Sequence, residues 1–233
     1  MSFPPSSSQP ASPCTDCSRR DKCLGAALNA VPGSSGGVTR SAVDRGAHLW
    51  RVGDTVDSIY VIRGGASKTY VVSEAGNEEI RGFQLANDVA GLDALCGSTH
   101  RTNARAISRT WVCRLPIAAV RARMSESAEF RDGLLSKLGR EFDRLHDMLH
   151  RERCTADQRV AAFLVRQIEN ENPPETGTVD LELPMTRTDL ARYLDLANET
   201  VSRVFTRFQN LNIMRSTGAR CEILDRSALG ALC

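Results

Sequence analysis

From Ala47 to about Pro116 the chain alternates apolar and polar residues in short runs rich in β-branched side chains, among them Ser58-Ile59-Tyr60-Val61-Ile62, Lys68-Thr69-Tyr70-Val71-Val72 and Thr110-Trp111-Val112-Cys113-Arg114-Leu115. Gly53-Asp54, Gly64-Gly65, Gly76-Asn77 and Asn87-Asp88 break these runs where the chain must turn. Many short strands separated by glycine turns predict a β-roll, a double-stranded β-helix of the jelly-roll or cupin-like kind. Between Ala118 and Arg153 the period becomes helical, and Leu135, Leu138, Phe142, Leu145 and Leu149 recur at spacings of three, four, three and four. So narrow an apolar seam favours a parallel helix pair between two chains, a homodimer, although the same stripe also suits a long helix packed on its own domain.

A second domain follows. Arg159 to Ile168 has a helical apolar face in Val160, Phe163, Leu164 and Ile168, and the Pro-rich segment from Asn170 to Gly177 ends it. Val179 to Leu183 alternates like a short strand, and Thr186-Arg187-Thr188-Asp189 has the spacing of a helix-starting capping box. Asp195 then stands where a tight turn is needed, and Asn198 to Asn210 forms a second helix, which is helix-turn-helix spacing. On this second helix Val201, Val204, Phe205 and Phe208 share one face, while Glu199, Ser202 and Arg203 share another. Those three side chains carry the hydrogen-bonding groups that read base edges in a major groove; equally, Glu199 and Arg203 have the spacing of an ordinary surface ion pair. Met214 to Ile223, turning at Thr217-Gly218, supplies a wing whose Arg215 and Arg220 can reach phosphates, and Arg187 near the start of the first helix is a further expected DNA contact.

The expected organisation is therefore α+β: residues 1–37 a tail with a cysteine cluster, 38–117 a β-roll sensor domain, 118–153 a long dimerisation helix, and 154–233 a winged helix-turn-helix for double-stranded DNA. The formal charge of +2 on 233 residues reveals no partner. From Pro184 to Arg220, however, Arg187, Arg192, Arg203, Arg207, Arg215 and Arg220 outnumber Asp189, Asp195 and Glu199. The whole-chain figure conceals this local basic excess.

No stretch approaches the roughly 18 apolar residues of a membrane span, and Met1 to Pro13 lacks the regions of a secretory signal, which points to the cytoplasm and away from membranes. In a reducing compartment eight cysteines argue for thiols or metal ligation rather than disulfides. Three of them, Cys14, Cys17 and Cys23, fall within ten residues, a pattern that suits one soft metal centre needing a further ligand. Zinc and an iron-sulfur cluster both accept four thiolates. An enzyme is not expected: the sequence shows no nucleophile with a base and no Gly-rich phosphate loop, and His48, His100, His146 and His150 are scattered.

Cys14-x2-Cys17-x5-Cys23, the strand Trp111 to Pro116, and Thr186-Arg187-Thr188-Asp189 running into Asn198-Glu199-Thr200-Val201-Ser202-Arg203 stand in an order that resembles the Crp/Fnr superfamily of bacterial transcription regulators, specifically its oxygen-sensing Fnr branch. The resemblance covers about residues 14 to 228. It implies one [4Fe-4S] cluster per subunit on Cys14, Cys17, Cys23 and Cys113, active without oxygen. It also implies a palindromic TTGAT-type DNA site and contact with RNA polymerase. Cys96, Cys154, Cys221 and Cys233 match no ligand position. Cyclic-nucleotide binders of the superfamily use a Gly-Glu pair and an Arg-Ser/Thr pair; Arg101-Thr102 fits the second, but Gly91-Leu92 puts a leucine where the ribose-binding acid belongs, so a cyclic nucleotide is an unlikely ligand.

Overall fold

A computed structural model describes residues 17, 23–29, 37–150, 153–171 and 177–233. The chain divides between Arg144 and Leu145 into two compact units. The first contains α1 (Leu24–Asn29), β1 (Thr39–Val43), β2 (His48–Trp50), β3 (Ser58–Gly64), β4 (Ser67–Val72), β5 (Glu78–Gln84), β6 (Val89–Ala90), β7 (Asn103–Ala106), β8 (Thr110–Pro116) and α2 (Ile117–Glu126). It also holds most of α3 (Ala128–His150). The strands form two antiparallel four-stranded sheets, ordered β1-β8-β3-β6 and β2-β7-β4-β5, which is the expected double-stranded β-helix.

Alternation decides what each strand buries. Ile59 and Val61 of β3 and Cys113 and Leu115 of β8 belong to one core with Leu24 and Leu28 of α1, Val120 of α2, and Phe130 and Leu134 of α3. Full burial of a Leu, Ile or Phe side chain contributes about 1.5–3 kcal/mol, so this core is what fastens the three helices to the first sheet. Between β3 and β4, Gly65 adopts φ 75, and a β-carbon there would stand 2.2 Å from the Arg109 carbonyl oxygen. Only glycine lets the β3–β4 turn approach the backbone entering β8 so closely.

The continuous helical pattern expected over 118–153 is divided. Ser127 is extended (φ −127, ψ 114) between α2 and α3, and its hydroxyl accepts a hydrogen bond at 3.2 Å from the Phe130 amide. This is an N-cap, whose serine oxygen satisfies an amide that the first turn of α3 leaves without a partner. The break lets α2 and α3 each turn an apolar face toward the same core.

Further along α3, the Lys137 ammonium donates to the Asn87 carbonyl at 3.0 Å, and Arg144 donates to the Arg81 carbonyl at 2.5 Å. Seven residues apart, they lie on one face of the helix and tie it to the middle of β5 and to the turn that follows it. Asp88, beside Asn87, accepts from the Leu85 amide at 2.8 Å. Burial pushes its carboxyl up to about 6, opposed by that hydrogen bond and by Lys137; Glu141 adds to the rise and Arg140 opposes it.

The second unit comprises α4 (Ala156–Glu171), β9 (Val179–Glu182), α5 (Arg187–Leu194), α6 (Asn198–Asn210), β10 (Met214–Thr217), β11 (Arg220–Ile223) and α7 (Arg226–Gly230). Its sheet runs β10-β11-β9, with β10 and β11 as the wing. Leu164, Leu190, Leu194, Val201, Phe208, Met214, Ile223 and Leu229 are fully buried, so every element contributes to its core except β9, which adds Val179 and Leu181 at slightly greater exposure.

The raised carboxyl of Asp88 has a thermodynamic consequence. The folded chain holds that proton more tightly than the unfolded one, so stability is lost as pH rises from about 4 to about 6. At 1.36 kcal/mol per pH unit, the difference between 3.8 and about 6 corresponds to about 3 kcal/mol. Asp88→Asn keeps an oxygen for the Leu85 amide, and urea unfolding as a function of pH should show that loss flattened and the variant more stable at pH 7.5. An unchanged pH profile would exclude Asp88 as its source.

Candidate functional site

Three regions carry the chemistry expected from the sequence: the cysteine arm, the exposed stripe of α3 and the helix-turn-helix. In the arm, Cys14 lies outside the described residues. Cys17, Cys23 and Cys113 are thiols. Cys113, paired between Arg40 of β1 and Val61 of β3, is buried at the centre of the first sheet. Cys23 immediately precedes α1, whose first turn is closed by amides of Ala26 and Ala27 donating to the Cys23 carbonyl at 3.0 and 3.1 Å. Gly25 lies beside both cysteines. A β-carbon on Gly25 would stand 3.6 Å from Cys23 Sγ and 3.8 Å from Cys113 Cβ, with Leu115 at 3.6 Å.

The structure thus brings Cys23 to Cys113 across most of the first unit's sequence. Cys17 is not gathered with them: among the described residues no group of three or more His, Cys, Asp or Glu lies close enough to hold a metal ion. Two adjacent cysteines in an apolar setting match the donor chemistry of a thiolate-bound soft metal centre. Lys137 is the nearby cation. Burial and Arg140 lower its pKa, while Asp88 and Cys23 raise it.

The candidate nucleotide pair is also visible. Gly91 adopts φ 78 ahead of a 3-10 turn from Leu92 to Leu95, and Leu92 packs against the core around Cys113. A carboxylate at that position would face apolar side chains. The neighbouring Asp93 accepts from His100 Nδ1 at 3.1 Å.

On α3 the stripe Leu135, Leu138, Phe142, Leu145 and Leu149 stays largely uncovered within one chain. Leu135 is 53% exposed, Phe142 70%, Leu145 47% and Leu149 79%. The helix's inward stripe of Phe130, Leu134, Lys137 and Arg144 is already engaged, so the leucine seam does not bury the helix on its own unit.

In the second unit Thr186 caps α5, its hydroxyl accepting from the Asp189 amide at 3.0 Å, as the sequence predicts. Asp195 takes the left-handed conformation (φ 53, ψ 53) at the turn. The turn is held by Arg159 of α4, which donates to the carbonyls of Leu194 at 3.2 Å and Asp195 at 2.9 Å. The sequence did not single out Arg159. A cation at helix-terminal carbonyls is a familiar pairing, but its partners lie thirty-five residues away.

Along α6, Val201, Val204, Phe205 and Phe208 are buried, and Glu199, Ser202 and Arg203 are exposed. Ser202 Oγ donates back to the Asn198 carbonyl at 3.0 Å. Neither Glu199 nor Arg203 is in an ion pair among the described residues, so the surface-pair alternative is not realised. The other expected DNA contacts differ in setting. Arg220 pairs in bidentate fashion with Asp180 at 3.0 and 2.9 Å, and Arg215 lies 3.9 Å from Glu222; both remain largely exposed. Arg187 is half-buried, with its guanidinium carbon 3.6 Å from the centre of the Phe205 ring and its Nη2 donating to Ser216 Oγ at 2.9 Å.

Known proteins match both units. Residues 40–127 match the cyclic nucleotide-binding domain, and residues 158–232 match the Crp-like helix-turn-helix domain. The chain is 35% identical over 223 residues to the transcriptional activator protein Anr of Pseudomonas protegens, covering 94% of this chain and 91% of that protein. It is 31% identical over 223 residues to the fumarate and nitrate reduction regulatory protein of Yersinia pestis, covering 94% and 89%. Among solved structures, FixK2 from Bradyrhizobium japonicum aligns with a TM-score of 0.71 at 28% identity, over 84% of this chain and 96% of that one. A β-roll, a long seamed helix and a capped helix-turn-helix with a wing, matched over nearly the whole chain, place it in the Crp/Fnr family of DNA-binding transcription regulators, in the Fnr branch.

Proposed function

We propose that this chain is an oxygen-responsive transcription activator that acts as a homodimer on a palindromic TTGAT-type site in the absence of oxygen. The observation that carries the sensing part is the approach of Cys23 and Cys113 at Gly25. Cys14, Cys17, Cys23 and Cys113 would hold one [4Fe-4S] cluster per subunit. When bound, it supplies an iron-sulfide centre whose lability to oxygen depends on surrounding charge, hydrogen bonds and solvent access. The chain's own residues connect that site to the helix. Leu24, next to Cys23, reaches α3 at Gly133, where a β-carbon would stand 3.7 Å from Leu24 Cδ2. Leu24 and Leu28 share their core with Phe130 and Leu134. A change in how the cysteine arm is held is therefore felt first at the start of α3, the helix that carries the seam.

In a parallel pair the exposed leucine seam becomes interior, which sets two recognition helices as one unit on DNA; each alone makes only half of the contacts. Glu199, Ser202 and Arg203 read base edges, while the wing's Arg215 and Arg220 neutralise phosphates. RNA polymerase is the expected further partner. Cyclic-nucleotide control is disfavoured by Leu92, whose side chain fills the position with an apolar contact. Zinc on the same thiolates is the second reading, since four cysteines form a common zinc site.

Iron and sulfide quantification of anaerobically purified protein, with absorption spectra before and after air, separates iron-sulfur from zinc. Cys113→Ser should abolish the visible absorption after anaerobic reconstitution and Cys154→Ser should leave it intact; a full cluster on the Cys113→Ser chain would remove Cys113 from the ligand set. Phe142→Glu puts a charge in the seam, and sedimentation should show the reconstituted variant as a monomer where the parent is a dimer. Should both sediment alike, the seam is not the interface. For DNA, Arg203→Ala should cost roughly 1–3 kcal/mol on the cognate duplex and relax base preference, whereas Arg215→Ala should weaken all sequences alike and lower the salt slope by about one. Equal losses on every duplex for both variants contradict the division into reading and neutralising residues.

A further inference from the structure

We infer that Arg187 is a positioning residue that locks the wing to the recognition helix, and that it does not serve as a phosphate contact. This inference builds on the DNA-reading function proposed above. Arg187 opens α5 directly after the Thr186 cap, where α5, α6 and the wing converge on its side chain. The face of its guanidinium lies 3.6 Å from the centre of the Phe205 ring, and Phe205 is itself only 3% exposed. Its edge donates to Ser216 Oγ at 2.9 Å. Ser216 is in β10, and its amide donates to Gln209 Oε1 of α6 at 3.1 Å. The same wing residue is therefore tied to α6 twice: directly through Gln209, and through Arg187 by way of the Phe205 ring.

The chemistry of the site requires arginine. A planar guanidinium can stack on an aromatic face and donate from its edge at the same time, whereas a lysine ammonium is a point charge without a face to stack. Burial lowers the pKa of Arg187, and the neighbouring thiol of Cys221, pushed by burial up to about 11, stays protonated near neutral pH. The partners of Arg187 are thus a ring and a hydroxyl, both of which use its shape. A phosphate contact would instead use its charge and the edge donors that Ser216 does not occupy, and would make no use of the stack on Phe205.

Salt dependence distinguishes the two roles. A lost phosphate contact lowers the slope of log affinity against log salt by about 0.9 and weakens every sequence equally. A loosened reading head leaves the slope alone and reduces discrimination. The assay uses the full chain, anaerobically reconstituted, on a duplex carrying inverted TTGAT half-sites and on the same duplex with one half-site base changed, across a salt series. Arg187→Lys and Arg187→Gln should both lower the affinity ratio between the two duplexes about tenfold, the order of a good base contact, with the parent's salt slope. Ser216→Ala, which leaves the stack in place, should move the ratio the same way by less. Parent-like binding by Arg187→Lys with a reduced slope in Arg187→Gln overturns the proposal and assigns a phosphate contact.

Hydrogen exchange provides a readout that needs no DNA. The Ser216 amide should exchange faster in Arg187→Gln than in the parent, with helical content and melting temperature reported alongside. Unchanged Ser216 exchange in a folded Arg187→Gln chain, or a Ser216→Ala chain that discriminates as the parent does, likewise overturns the lock. If the parent itself fails to prefer the TTGAT duplex, the target-site reading fails, and the exchange measurement still decides the role of Arg187.

Discussion

One helix with two occupied faces is the constraint on which the first unit depends. α3 must bury Phe130 and Leu134 in the core that includes Cys113, place Lys137 and Arg144 against the carbonyls of Asn87 and Arg81, and still keep Leu135, Phe142, Leu145 and Leu149 clear for something else. A helix of ordinary amphipathicity has one apolar stripe. Here the inward stripe becomes polar after Leu134, where hydrogen bonds from Lys137 and Arg144 replace apolar packing. A second apolar stripe then runs along the adjacent face. Four large hydrophobic side chains left mostly in water along one line are unfavourable for a lone chain and are the kind of surface that marks an interface.

The position of Gly133 follows from the same constraint. Leu24 approaches α3 there, and a larger side chain would hold α1 off the helix and with it Cys23, which α1 carries at its start. Gly25 plays the matching part on the other side, between Cys23 and Cys113. A β-carbon at either glycine would make ordinary contacts of 3.6–3.8 Å, so the two mark where the segment beginning at Cys23 passes between the sheet and the helix. The first is a departure from good helix composition, since glycine inside a helix costs about 1 kcal/mol relative to alanine.

Much of this was legible in the sequence because it is written in local periodicity. The alternation of Ser58 to Ile62 and Thr110 to Leu115 gives β3 and β8, and the Thr186 and Asp195 signals give both ends of α5. The interruption at Ser127 was not legible, although serine is a good N-cap, because the helical period continues across it and the cap is visible only when the Phe130 amide is seen to need it. Cys113 shows the opposite limit. By pattern it is core filling; its reading as a ligand comes from the family resemblance, and its closeness to Cys23 is encoded by no local period. The surroundings of Arg187 and Arg220 were hidden for the same reason: Phe205, Ser216 and Asp180 are distant in sequence, so counting charges along the chain treats as free cations two groups that the fold has already engaged.

That count bears directly on how the head would work. Of the six arginines that make the segment from Pro184 to Arg220 basic, Arg187 is held by Phe205 and Ser216, Arg207 pairs with Asp157, Arg215 stands near Glu222 and Arg220 pairs with Asp180. Among the described residues Arg192 and Arg203 are the members of that set outside such arrangements, and Arg203 lies on the exposed face of α6 proposed to read bases. A single head therefore offers a weaker nonspecific pull on the DNA backbone than its composition suggests, because each paired guanidinium must give up or share its acid before it can neutralise a phosphate. In the proposed homodimer this makes the outcome more sensitive to whether two heads act together, since linkage multiplies affinities that are individually weak. The pairing of charges within the wing and the exposure of the leucine seam are in this sense complementary: a head that bound DNA strongly by itself would leave little for a dimerising helix to control.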